Sequence, residues 1–137
     1  MQKSPTVKWL NKFKKYKKLT EEDYNELKKI QLDEEEIREV PEWFDVRNVE
    51  TFYLQNNKIT EFPMFDVKKL RRLELTGNRI KEVPANLDVK KLAYLGLYDN
   101  EIKEIPKSVV KSTCDIRFVN RFANCYVPQY SIFNYGI

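Results

Sequence analysis

Cationic side chains are the most concentrated chemistry in this 137-residue sequence. Residues 1–18 (MQKSPTVKWLNKFKKYKK) hold seven lysines and no acid. Ammonium groups at that density suit an anionic surface, either a nucleic-acid backbone or an anionic membrane. Within residues 3–18, Lys8, Lys12, Lys14, Lys15 and Lys18 are the candidate contacts. The rest of the chain carries the opposite sign: 18 of the 25 basic residues remain there against 21 acids, a balance of −3. Acids cluster in EED at 21–23 and DEEE at 33–36, so attraction inside the molecule competes with an external anionic partner.

Catalytic chemistry has little to draw on. There is no histidine, which excludes zinc sites and acyl-transfer triads that need an imidazole. Cys114 and Cys125 are too few for a disulfide scaffold. Two free buried thiols are expected, with one bond between them as the alternative. There is no phosphate loop and no C-x-x-C, and the chain has three glycines in all. The sequence predicts no enzyme, no cofactor and no metal site. No run approaches 18 apolar residues, and the N-terminus lacks the apolar stretch of a secretory signal. A cytoplasmic protein is expected.

The elements that position these side chains are announced by internal repetition. VETFYLQNNKITEFP (49–63), LRRLELTGNRIKEVP (70–84) and LAYLGLYDNEIKEIP (92–106) share one pattern, and Asn57, Asn78 and Asn100 are spaced 21 and 22 apart. LKKIQLDEEEIREVP (27–41) is a weaker copy with Glu35 at the asparagine position. In each copy a short strand of period two turns Phe52/Leu54, Leu73/Leu75 and Leu95/Leu97 inward. Ile59, Ile80 and Ile102 fill the turn side, and Pro63, Pro84 and Pro106 lead into a poorly hydrogen-bonded return. An ionised Glu35 has no donor to give, which puts the first turn in doubt.

On these motifs the chain resembles the leucine-rich repeat family. The resemblance implies an α/β solenoid: a horseshoe segment with short parallel strands on its concave face, an irregular or 3₁₀ convex side and a helical N-terminal cap. It also implies that the repeated asparagine satisfies backbone groups inside each turn. The expected organisation is a basic helical cap or arm over 1–26, about four repeats over 27–109 and an aromatic-rich C-terminal cap over 110–137. Ser4-Pro5 reads as one helix start and Thr20, with Asp23 three residues on, as a second. Trp9, Leu10, Phe13 and Tyr16 fall on one side at spacings of three and four. Phe122, Tyr126, Tyr130, Phe133 and Tyr135 are expected to cover the last unit.

The concave face of such a solenoid is the usual binding surface. Tyr53, Arg72, Glu74, Tyr94, Tyr98 and Asp99 then form a mixed aromatic and charged patch suited to a protein partner. The function this predicts is a non-enzymatic protein–protein interaction module. The alternative is binding of nucleic acid or anionic membrane through the lysine-rich N-terminal helix.

Overall fold

A computed structural model gives the fold and describes residues 2–110 and 115–117. Helix α1 (Pro5–Leu10), a 3₁₀ turn (Lys14–Tyr16) and helix α2 (Glu21–Glu26) come first. Strands β1 (Lys29–Gln31), β2 (Thr51–Tyr53), β3 (Arg72–Glu74), β4 (Tyr94–Gly96) and β5 (Asp115–Arg117) follow, with a second 3₁₀ turn (Val67–Lys69) before β3 and helix α3 (Lys107–Val110) before β5. The strands form one parallel sheet in chain order. Its register aligns Ile30, Phe52, Leu73, Leu95 and Ile116 across the sheet.

The horseshoe solenoid expected from the resemblance does not form. A strand–turn–helix unit does not recur: α1 and α2 both precede β1, and among the described residues no α-helix lies between β1 and β4, only the 3₁₀ turn Val67–Lys69. The return stretches are short and start at Pro63 and Pro84, which leaves no room for a helical layer behind the sheet. The sheet is open, with β1 and β5 at its two edges. Five strands about 4.8 Å apart make a sheet only roughly 20 Å wide. The molecule is a single small domain with one short parallel sheet and three short helices, not a leucine-rich repeat solenoid.

The core lies behind the sheet. Phe52, Leu54, Leu73, Leu75, Leu95 and Leu97 are fully buried, as are Ile59, Ile80 and Ile102. Each such side chain contributes about 1.5–3 kcal/mol by leaving water. Phe44, Phe52 and Phe65 form a ring cluster with centroids 5.3–5.6 Å apart, and Trp9 joins it edge-on at 5.4 Å from Phe44. The N-terminal elements thereby share the core of the sheet.

Three buried asparagines hold the turns together. Asn78 donates to the carbonyls of Leu54 (3.0 Å) and Leu75 (2.9 Å) and accepts from the Ile59 N–H (3.0 Å). Asn100 does the same for Leu75, Leu97 and Ile80, and Asn57 for Leu32, Leu54 and Ile37. Each asparagine thus ties its own turn to the preceding one, satisfying groups that would otherwise be buried without partners. The first turn has no predecessor to bridge, so an asparagine there has no such task and Glu35 stands exposed. That turn forms nevertheless, with Glu34 left-handed (φ 56°) as Asn56, Gly77 and Asp99 are in the later ones. Its backbone is held from the neighbour, since Asn57 Oδ1 accepts the Glu35 N–H at 2.9 Å.

Cys114, Cys125 and the aromatic run from Phe122 to Tyr135 lie outside the described residues.

Candidate functional site

The sheet's outer face carries the first candidate cluster. Register places Thr51, Arg72, Tyr94 and Asp115 in one row and Tyr53, Glu74, Gly96 and Arg117 in the next. Gly96 leaves a gap in its row, and the Glu74 carboxylate fills it. Glu74 is only 8% exposed. It accepts from both the hydroxyl and the N–H of Thr76. The Tyr94 phenol lies close enough to feel the charge of the same carboxylate. Burial and the adjacent Glu74 charge push the Tyr94 phenol up to about 12, while Arg72 opposes them. The Arg72 guanidinium lies 3.9 Å from the Tyr94 ring centroid and 6.0 Å from that of Tyr53. Tyr98 and Asp99 are half-buried at the end of β4, each with partners of its own.

This geometry corrects the interaction-module reading. The structure brings Tyr53, Arg72, Glu74 and Tyr94 together, but Arg72 lies over the two tyrosine rings and Glu74 is folded into the gap at Gly96. Glu74 accepts from Thr76, and a face of Tyr94 is covered by Arg72. With no horseshoe to present it, this face is not a concave protein-binding module. Reading Gly96 opposite Glu74 in one row would have signalled that the carboxylate folds over its neighbour.

The second cluster is the basic segment. The spacing predicted a first helix carrying Trp9, Leu10, Phe13 and Tyr16 on one side, but α1 stops at Leu10. Asn11 then turns the chain, donating from Nδ2 to the carbonyls of Tyr16 (2.8 Å) and Leu19 (3.1 Å). Val7, Leu10 and Tyr16 are buried, and Trp9 and Phe13 pack against the core. Both expected helix starts are made: Ser4 Oγ accepts the Val7 N–H, and Thr20 and Asp23 form a reciprocal capping box. Ser4 also donates through its N–H and its hydroxyl to Glu21 Oε2, both at 2.9 Å. Those bonds, with Arg47 at 3.3 Å, hold the Glu21 carboxyl below its ordinary range. The Arg47 guanidinium covers the Tyr24 ring at 4.8 Å. Burial, together with the Asp45 charge, raises the Tyr24 phenol above its ordinary range.

The lysines point the other way. Lys3, Lys8, Lys12, Lys14, Lys15, Lys17 and Lys18 are all exposed. Among the described residues none of them is in an ion pair. Lys3 donates to the neutral amide of Asn11, and Lys15 to that of Gln31 while lying 5.8 Å from the Tyr16 ring centroid, which leaves both charges unneutralised. Elsewhere Arg47 pairs with Glu21 and Asp45, Lys58 with Glu36 and Lys69 with Asp66, while the exposed Lys68, Lys90 and Lys91 are likewise in no ion pair among the described residues.

Two large apolar side chains stand open among the described residues, Trp43 (55% exposed) and Met64 (47%). Trp43 was not singled out from the sequence. The only available signal was its place directly before the inward Phe44. No group of three or more acids, cysteines or histidines among the described residues could hold a metal ion. No helix among them is long and apolar enough to cross a membrane. No protein-family model matches the chain, and no curated protein matches it. The site is therefore read from its own geometry.

Proposed function

We propose that the protein is a noncovalent binder of a polyanionic partner, engaged through Lys8, Lys12, Lys14, Lys15 and Lys18. One observation carries this reading: a segment with seven lysines and no acid is fixed to the domain by its apolar side, while its ammonium groups stay exposed and outside every ion pair among the described residues. Burial of that side means the charge is presented on an ordered scaffold, which lowers the ordering cost of binding. Asn11 and Tyr16 fix the loop that carries Lys12, Lys14 and Lys15.

Binding to heparin, a generic polyanion, tests it. If five lysines meet anionic groups, the logarithm of affinity should fall against the logarithm of salt with a slope of about −4 to −5. Lys14→Glu/Lys15→Glu/Lys18→Glu should weaken binding at least tenfold with unchanged thermal stability. Equal affinity of this variant and the native chain would refute the reading.

A further inference from the structure

The polyanion reading leaves the exposed tryptophan without a task. Trp43 is 55% exposed although a buried position lies one residue away, at Phe44. Its place in the fold is beside the basic segment. The Phe44 ring touches Trp9 of α1 at 5.4 Å between centroids. Two residues on from Trp43, the Asp45 N–H donates to Thr6 Oγ1 of α1 at 2.8 Å. The segment that carries this open indole is thus packed against α1, which carries Lys8, with Lys12 just beyond its end.

We infer that Trp43 is a stacking platform for a base of single-stranded nucleic acid whose phosphates run along Lys8 and Lys12. This deepens the polyanion reading and rests on it. Single strands are held by cationic grooves combined with aromatic faces, because every base has a π-face and every linkage a charge. The aromatic residues of the segment itself cannot serve. Trp9 is edge-on to both Phe13 and Phe44, and the Tyr16 hydroxyl is bonded to Gln31. A duplex hides its base faces and would leave Trp43 idle. A lipid surface would need an apolar helix face to insert. Here that face, Val7 and Leu10, is fully buried. Arg47 compensates Asp45 at 3.3 Å. The exposed Glu42 next to Trp43 carries a charge that opposes a phosphate.

The test compares a labelled twelve-residue oligothymidine, the duplex of the same length, heparin and phosphatidylserine vesicles, all with the full chain. Trp43→Ala should weaken oligothymidine binding at least fivefold, the lower end of the effect of losing one stacked base. Heparin affinity should stay within twofold, and Trp43→Phe should keep most of the single-strand affinity. Glu42→Gln should tighten oligothymidine binding. Oligothymidine should quench the native tryptophan fluorescence, and the quench should vanish in Trp43→Phe. An equal loss for oligothymidine and heparin in Trp43→Ala, a quench that survives in Trp43→Phe, duplex binding as tight as single-strand binding, or vesicle binding that depends on Trp43 would each overturn the stacking role. Failure to bind heparin as well as oligothymidine would overturn the polyanion reading beneath it.

Discussion

The phenolic oxygen of Tyr16 accepts the backbone N–H of Gln31 at 2.7 Å. Gln31 belongs to the edge strand β1, and this amide points away from β2. An open edge N–H is an invitation to pair with another chain. The basic segment answers it with a side chain, and in doing so fixes the lysines on either side of Tyr16. Burial raises the Tyr16 phenol, so the oxygen stays protonated while it accepts.

Tyr16→Phe keeps the ring and removes the acceptor. The Gln31 amide is then left without a partner beside a buried ring. The expected loss is about 1–2 kcal/mol in urea denaturation, with the midpoint lowered and the slope unchanged. Heparin affinity should fall as well, because the loop carrying Lys14 and Lys15 loses its tether. Unchanged stability would mean that water or the ring edge serves Gln31 equally well.

Asn78→Asp tests the asparagine bridge. Aspartate can still accept from the Ile59 N–H, but it cannot donate to the carbonyls of Leu54 and Leu75, and its charge would sit at a position 6% exposed. A loss of about 3 kcal/mol or more is expected from the orphaned carbonyls and the buried charge together. By contrast Glu35→Asn, which restores the sequence pattern in the first turn, should change stability by less than about 0.5 kcal/mol, since nothing precedes that turn to be bridged. A marked gain from Glu35→Asn would contradict this account of the ladder.

Those two asparagine positions also mark what could be read from the sequence. Period-two strands and the inward leucines follow from alternation alone, because a residue flanked by two polar neighbours can only bury itself on one side. The helix starts at Ser4 and Thr20 were legible because a cap is a local interaction between residues three apart. What failed depended on the whole assembly. The horseshoe was what the leucine-rich repeat resemblance implied, but the repeat spacing itself fixes only which residues are neighbours and not whether the sheet arcs. The basic segment read as one helix face because Trp9, Phe13 and Tyr16 have helical spacing, yet Asn11 breaks the helix by bonding carbonyls up to eight residues away. Glu74 read as an exposed anchor because its position alternates outward. It is buried by its neighbour's missing side chain, a cross-strand effect.

Gly96→Ala makes that effect measurable. A Cβ at residue 96 would collide with the Glu74 carboxylate, which would have to give up its bonds from Thr76 to swing aside. Overpacking of this kind costs about 1–3 kcal/mol. Glu74→Ala removes the obstacle, so in the double variant the alanine at 96 should cost at least about 0.5 kcal/mol less than it does alone. Additive losses would place the strain elsewhere than at this carboxylate.

Alkaline titration follows from the raised phenols. Tyr94 is pushed up to about 12, and Tyr16 and Tyr24 are raised above their ordinary value. A group whose pKa is higher in the folded chain binds its proton more tightly there. Its stabilising contribution is complete below the unfolded value of about 10. Above that pH the unfolded chain releases protons that the native chain retains, so the stability slope with pH turns negative. For Tyr94 the loss should develop as pH rises from about 10 towards 12, where the native phenol itself ionises against the Glu74 charge. Lysines also discharge in this range, so the informative comparison is with Tyr94→Phe, which has no phenol to ionise. Urea denaturation at pH 9, 10 and 11 should show a steeper decline for the native chain than for Tyr94→Phe. Parallel curves for the two proteins would mean that the phenol gains nothing from its place between Arg72 and Glu74.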